Sequence, residues 1–93
     1  MNEHYIEDKT TKYAEALGWL SYKFSAPSRR GGPDRLFIKL GTTIFIEFKK
    51  PGEKPRKLQE AIIKKIREQG VPVYVVDSIE RGEEIFNHYA LKD

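Results

Sequence analysis

The 93-residue sequence has no cysteine, one methionine and one tryptophan. Without cysteine the chain can form no disulfide, no zinc–thiolate site and no thiol nucleophile, and this composition fits a reducing, intracellular compartment. Its longest apolar stretch, residues 71–76, is far too short to cross a membrane. It also has no Walker loop and no Gly-x-Gly-x-x-Gly motif, so nucleotide hydrolysis is not indicated.

The length allows one domain, residues 1–93, with no room for a second. A chain of this size buries only roughly 60% of its unfolded surface, so its core is thin. A metal ion or a partner subunit is a common way to stabilise so small a domain. With 39% hydrophobic and 12% aromatic residues, the chain is nevertheless too apolar to be a disordered tail.

Positive charge is concentrated in the middle of the chain. Residues 48–67 contain eight Lys and Arg against two Glu, although the whole chain carries a formal charge of only +3. An electropositive block of this kind is typical of a surface that binds a polyanion such as nucleic acid. A solvated helix face next to a basic loop would give the same count, so charge alone leaves both interpretations open.

Hydrophobic periodicity and turn residues predict an α/β fold in the order α-β-β-β-α-β-α. The predicted helices cover residues 3–17, 56–69 and 79–91, and the predicted strands cover 19–24, 36–40, 43–48 and 72–76. Strand 43–48, helix 56–69 and strand 72–76 form a βαβ unit, so these two strands should be parallel. We expect a mixed central sheet flanked by helices, in which strand 72–76 is buried on both faces and Leu58 packs in the core.

Three charged residues occupy strand ends, where charge is unfavourable: Asp34, Glu47 and Lys49. Side chains alternate along a strand, so Glu47 and Lys49 share a face, whereas Lys50 faces away from them. A type II′ hairpin turn at Gly41 and Thr42 would place Asp34 diagonal to Glu47, within reach of one shared ion.

Two carboxylates at this separation repel each other unless a cation lies between them. Oxygen ligands favour a hard ion, Mg²⁺ first, with Mn²⁺ as the alternative. Such an ion could polarise a phosphate and activate a water, and Lys49 could neutralise charge that develops on phosphorus. Cross-strand ion pairs with no chemistry are the plainer interpretation of the same residues.

Gly32, Pro33 and Asp34, followed by Glu47, Phe48 and Lys49 after a hairpin, resemble the Pro-Asp…(Asp/Glu)-x-Lys motif of restriction-endonuclease-like nucleases. Together with the segment 54–59, the string resembles one branch of that superfamily, the VRR-NUC (virus-type replication-repair nuclease) domain, over residues 7–78. One departure is visible, because Ile62 occupies a position that is often aromatic in the family.

The resemblance implies a role for each matching residue. Asp34 and Glu47 would bind the metal, with the backbone carbonyl of Phe48 as a third ligand, and Lys49 would be the catalytic lysine. Glu7 matches the acidic residue of the family's first helix, which supports the metal directly or through water, and Gln59 matches a glutamine that points into the site. Basic residues near the motif are candidates for holding the DNA backbone: Arg29, Arg30, Lys50, Lys54, Arg56 and Lys57.

The resemblance further implies a restriction-endonuclease-like fold and metal-dependent, structure-specific DNA cleavage. Stand-alone viral and bacterial members resemble junction resolvases and act as homodimers, so we expect a homodimeric endonuclease that cuts branched DNA such as four-way junctions. The main alternative is a catalytically inactive module that binds nucleic acid through residues 48–67. A purely structural or interaction domain is the other.

Overall fold

A computed structural model describes residues 1–25 and 31–92. The elements follow the predicted order, although most bounds differ by one residue. They are α1 (Glu3–Ala16), β1 (Leu20–Lys23), β2 (Arg35–Lys39), β3 (Thr42–Phe48), α2 (Lys57–Glu68), β4 (Val73–Val76) and α3 (Ile79–Ala90). None of the helices within these residues combines the length and the apolar character that a membrane crossing requires.

The four strands form one mixed sheet in the order β1-β2-β3-β4. Strands β1, β2 and β3 pair antiparallel, and β4 pairs parallel with β3. The parallel pair confirms the predicted βαβ unit. The mixed α/β sheet with flanking helices confirms the predicted fold class.

The hairpin between β2 and β3 differs from the prediction. Its register pairs Lys39 with Thr42, so Leu40 and Gly41 are the turn residues, one residue earlier than expected. Both have positive φ, 46° and 84°, which is the type I′ conformation rather than type II′. Type I′ matches the twist of the paired strands, and the earlier turn shifts the pairing of β2 with β3 by two residues, so that Leu36 faces Phe45 rather than Glu47. Continued one residue beyond its last pair, Arg35 with Ile46, this register brings Asp34 level with Glu47 rather than diagonal to it.

The main core lies between one face of the sheet and the helices α1 and α3. It contains Phe37, Ile44, Ile46 and Phe48 from the central strands, all fully buried. Helix α3 packs closely on α1, because Gly82 lies directly against the side chain of Thr10. Strand alternation sends Glu47 to the opposite face of the sheet, where α2 lies.

Helix α2 covers that second face only in part. It buries Ile63, whereas Leu58 is 54% exposed, so the prediction that Leu58 is a core residue is wrong. Leu20 and Tyr22 of β1, the strand farthest from β4, are also more than half exposed. Strand β4 is an edge strand that buries Val73 and Val76, whereas Tyr74 and Val75 are half-buried, so it is not fully buried on both faces as predicted.

Candidate active site

Asp34 is fixed by hydrogen bonds from both neighbouring strands. Its backbone N–H donates to the carbonyl of Ile46 (3.1 Å), and its carbonyl accepts from the N–H of Phe24 (2.9 Å). The side-chain Oδ2 accepts from the backbone N–H of Phe48 (2.7 Å). The position of this carboxyl is therefore set by strand pairing as much as by its own rotamer.

Glu47 and Lys49 are buried at the end of β3, although both carry ionisable groups. Their exposed fractions are 2% and 7%. Lys49 Nζ lies 3.3 Å from Glu47 Oε2 and 3.9 Å from Glu53 Oε1, in the turn that follows. The backbone N–H of Lys49 donates to the carbonyl of Val76 (2.9 Å), so the parallel strand β4 holds this residue in place.

Gln59 connects the first turn of α2 to this pair. Its Nε2 donates to Glu47 Oε2 (2.7 Å), and its Oε1 accepts from the backbone N–H of Arg56 (3.0 Å). The second bond caps the N-terminus of the helix, because that N–H has no partner within the helix itself. One side chain therefore fixes both the start of α2 and one oxygen of Glu47.

The other carboxyl oxygen of Glu47, Oε1, is buried and has no hydrogen-bond partner within residues 1–25 and 31–92. Burial raises the pKa of Glu47 to about 7, with a further contribution from the charge of Asp34, whereas the hydrogen bond from Lys49 opposes the rise. Burial also raises the pKa of Asp34, against the hydrogen bond from Phe48. The negative charge of Asp34 disfavours ionisation of Glu47, and a cation beside the two carboxyls would relieve this repulsion.

These groups line a pocket of about 560 Å³ together with residues from α1 and from the turn after β3. Two of its acids, Glu3 and Glu53, are not among the site residues predicted from the sequence. Glu3 is the first residue of α1, and its charge contributes to the raised pKa of Glu47. The lining residues are Glu3, Asp34, Glu47, Lys49, Glu53, Lys54, Arg56 and Gln59.

Glu7, the predicted ligand on the first helix, is not among the residues that line this pocket. Its Oε2 accepts from Nε of Arg35 (2.7 Å) and lies 3.9 Å from Lys23 Nζ. Its charge still contributes to the raised pKa of Asp34, so it lies near the site. Glu3 is four residues away on the same face of α1, and the helical period does not distinguish the two acids. A direct role for Glu7 as a ligand stays a prediction.

The basic candidates fall into three groups. Lys54 and Arg56 are exposed and line the pocket, so they lie beside the paired acids. Lys50 and Lys57 are exposed and are sequence neighbours of Lys49 and Arg56, which line the pocket. The predicted contacts at Arg29 and Arg30 lie outside the residues that the structure describes.

The donor set fits a hard divalent ion. In the part of the chain that the structure describes, no three Asp, Glu, His or Cys side chains are grouped so that they could hold a metal on their own. Mg²⁺ does not need such a cage, because it keeps several waters and commonly binds one or two carboxylates. The buried Oε1 of Glu47, which receives no hydrogen bond from a donor group in the described part of the chain, is an oxygen ligand of the required type. The backbone carbonyl of Phe48 as a third ligand stays a prediction.

The comparisons with known proteins agree with the motif. No protein-family model matches the sequence. The chain is 39% identical over 79 residues to "Putative nuclease p44" of Acyrthosiphon pisum secondary endosymbiont phage 1, covering 84% of this chain and 85% of that protein. It is also similar to a solved structure described as "VRR_NUC domain", with a TM-score of 0.86 and 31% identity over 94% of this chain and 96% of the other. The chain therefore belongs to the VRR-NUC family of nucleases.

Proposed function

We propose that the protein is a metal-dependent endonuclease that hydrolyses phosphodiester bonds of DNA at the pocket formed by Asp34, Glu47 and Lys49. The observation that carries the proposal is the buried Oε1 of Glu47, which receives no hydrogen bond from a donor group within residues 1–25 and 31–92 and lies close to a second carboxyl and a buried lysine. Burying an ionisable oxygen without a partner is unfavourable, and such groups cluster at functional sites. If the pocket bound neither a metal nor a substrate, nothing would offset the unfavourable burial of this oxygen.

Asp34 and Glu47 would hold Mg²⁺ or Mn²⁺. When bound, the ion would supply Lewis-acid polarisation of the phosphate and favour ionisation of an attacking water. A metal would also give Glu47 Oε1 the electrostatic partner that no donor group among the described residues supplies. Glu3, which lines the same pocket, would accept a hydrogen bond from a water bound to the ion.

Lys49 would act on the phosphate. Its ammonium group is held near Glu47 and is largely shielded from water, so its charge is less screened than that of a surface lysine. In this position it can stabilise the negative charge that builds up on the phosphate oxygens during attack. Gln59 would keep Glu47 in one rotamer through its 2.7 Å hydrogen bond, leaving the other oxygen of Glu47 for the metal.

The DNA backbone would run along the exposed basic residues at the pocket mouth. Lys54 and Arg56 line the pocket, and Lys50 and Lys57, exposed and adjacent in sequence to pocket residues, would extend this surface. Each phosphate contact by a basic side chain releases a counterion, so binding should weaken steeply with salt. Arg29 and Arg30 keep their predicted role as backbone contacts.

The preferred substrate is branched DNA such as a four-way junction, and the active form is a homodimer. Both proposals rest on the resemblance to junction resolvases, and two sites in one dimer suit paired nicks in a branched duplex. The exposed apolar side chains of Leu20, Tyr22 and Leu58 are a source of hydrophobic contact for a second copy. Sedimentation velocity tests the assembly, and a species with the mass of one chain at all concentrations would contradict it.

The decisive experiment incubates end-labelled four-way junction, flap, plain duplex and matching RNA duplex with the protein in Mg²⁺, in Mn²⁺ and in chelator. We expect cleavage of the branched DNA in the metal lanes only. Asp34→Asn, Glu47→Gln and Lys49→Ala should each reduce the rate by about 10²-fold or more, which is the size of effect seen when a group that stabilises transition-state charge is removed. Lys12→Ala is the matched control, because it removes an exposed lysine of α1 that has no proposed role at the site.

Each failure has a distinct meaning. Cleavage in chelator, or full activity in all three variants, would overturn the proposal. Metal-independent DNA binding that survives Glu47→Gln, with no cleavage of any substrate, would instead support the alternative of an inactive module that binds through residues 48–67. The raised pKa of Glu47 and the burial of Lys49 favour the enzyme, since a module that only binds phosphates needs exposed cations and no buried acids.

A further inference from the structure

Arg35 follows Asp34 directly and connects three elements of the fold. Its Nε donates to Glu7 of α1 (2.7 Å), and its Nη1 donates to the hydroxyl of Ser21 in β1 (3.2 Å). The Arg35 and Glu7 side chains are only 19% and 12% exposed. A short, largely buried, charge-assisted hydrogen bond is much stronger and more directional than an exposed ion pair.

The bond between Arg35 and Glu7 constrains the N-terminal part of α1, one turn beyond Glu3. The buried residues of the helix determine which face packs on the core: Ile6, Thr10, Thr11 and Ala14. Apolar contacts are non-directional, so they leave a small rotation about the helix axis open. A hydrogen bond to a defined oxygen restricts that rotation. Glu3 lies one helical turn before Glu7, so rotation of α1 would move Glu3 relative to the pocket that it lines.

We propose that Arg35 and Glu7 form a positioning pair, which orients α1 so that Glu3 faces the metal pocket beside Asp34. Neither member of the pair touches the metal or the substrate in this assignment. The inference rests on the proposed function, because it assumes that the pocket takes a divalent ion. It also explains why α1 carries two acids on one face: Glu7 anchors the helix, and Glu3 faces the site.

The affinity for Mn²⁺ distinguishes a positioning role from a purely electrostatic one, because the two roles predict opposite effects of Arg35→Gln. If only charge mattered, Glu7→Gln would weaken Mn²⁺ binding by removing a negative charge, and Arg35→Gln would tighten it by removing a positive one. If the pair positions α1, both variants weaken binding. Changes in the partners of metal ligands lower metal affinity by roughly 10- to 100-fold. Arg35 and Glu7 lie one contact farther from the metal than such partners do, so we expect a loss in Mn²⁺ affinity of about three- to tenfold.

The experiment measures Mn²⁺ affinity of the folded, DNA-free protein by isothermal titration calorimetry for wild type, Glu7→Gln, Arg35→Gln and the double variant. The double variant should be no weaker than the weaker single variant, because both remove the same bond. Lys23→Gln is the matched control, since Lys23 Nζ lies 3.9 Å from the same Glu7 oxygen but its side chain is 70% exposed. It should leave the affinity unchanged. Arg35→Lys keeps the charge and one donor, and should fall between wild type and Arg35→Gln.

Thermal unfolding of each variant separates positioning from a purely structural role. A lower melting temperature with unchanged Mn²⁺ affinity in Glu7→Gln and Arg35→Gln would overturn the inference and leave the proposed function intact. Tighter Mn²⁺ binding in Arg35→Gln would also overturn it, and would support Glu7 as a direct ligand once it is released. If wild type binds no Mn²⁺ and Asp34→Asn cuts DNA normally, the proposed function itself fails.

Discussion

Glu47 should destabilise the metal-free fold at neutral and alkaline pH, and Glu47→Gln should therefore raise its stability. The pKa of this buried carboxyl is raised from 4.5 to about 7. Below pH 4.5 the group is protonated in both the folded and the unfolded chain and has no such effect. Between pH 4.5 and 7 the folded state binds more protons than the unfolded state, so stability falls as pH rises. Above pH 7 the whole penalty is present.

The size of the penalty follows from the pKa. One pKa unit corresponds to about 1.4 kcal/mol, so a rise from 4.5 to about 7 represents roughly 3 kcal/mol. A neutral glutamine imitates the protonated acid and removes this penalty. For a domain of this size, roughly 3 kcal/mol corresponds to an increase in melting temperature of about 10 °C or more. The raised pKa of Asp34 acts in the same direction, so part of the pH dependence should persist in Glu47→Gln.

Urea denaturation in chelator at pH 4.5 and pH 8 measures the effect. We expect Glu47→Gln to unfold at higher urea than wild type at pH 8 and at similar urea at pH 4.5. Glu15→Gln, an exposed acid on α1, is the control and should match wild type at both pH values. Saturating Mn²⁺ should stabilise wild type at pH 8 far more than Glu47→Gln, because only the carboxylate gains a partner. A Glu47→Gln protein that is no more stable than wild type at pH 8 would refute this argument.

Three further changes test other parts of the structure. Leu40→Asn should stabilise the fold by about 0.5–1 kcal/mol in urea denaturation, because Leu40 is 87% exposed with φ of 46° and Asn-Gly is the preferred type I′ pair. A loss of stability would contradict the turn assignment. Gly82→Ala should lower the free energy of unfolding by about 1–3 kcal/mol, because its Cβ would overlap the side chain of Thr10. Adding Thr10→Ala should recover part of that loss. Additive losses in the double variant would exclude this contact as the cause. Gln59→Leu should slow cleavage by about tenfold or more while changing the free energy of unfolding by only about 1 kcal/mol. An unchanged single-turnover rate would show that Gln59 has no role in the reaction.

The sequence predicted the parts of the site that depend on strand alternation and element order. Glu47 and Lys49 had to share a face because they are two residues apart in a strand, and Asp34 had to lie near them because a short hairpin joins the two strands. The structure places all three in one pocket. The exact pairing was not predictable, because it depends on a turn in which Leu40 adopts a backbone conformation that side chains disfavour.

Two other features depend on tertiary contacts that local patterns do not encode. Glu3 and Glu7 have the same helical phase, and the distinction between them is made by Arg35, 28 residues beyond Glu7 in the chain. The apolar stripe of α2 correctly indicated a helix that packs on the sheet. It could not show that this helix of 12 residues, about 18 Å long, leaves the β1 side of the face uncovered and Leu58 exposed.

The strand residues of the pocket and Glu3 of α1 are held in position by different contacts. Substitutions near them should therefore have different effects on stability and on metal binding. Asp34, Glu47 and Lys49 are placed by backbone hydrogen bonds between strands, which survive the replacement of most neighbouring side chains. Glu3 belongs to helix α1, and the side-chain hydrogen bond between Arg35 and Glu7 sets the rotation of this helix that brings Glu3 to the pocket. Substitutions around the strands should therefore lower stability before they disturb the paired acids. Substitutions at the junction of α1 with β2 should disturb the metal site while the fold persists, because the core contacts of α1 with α3 remain.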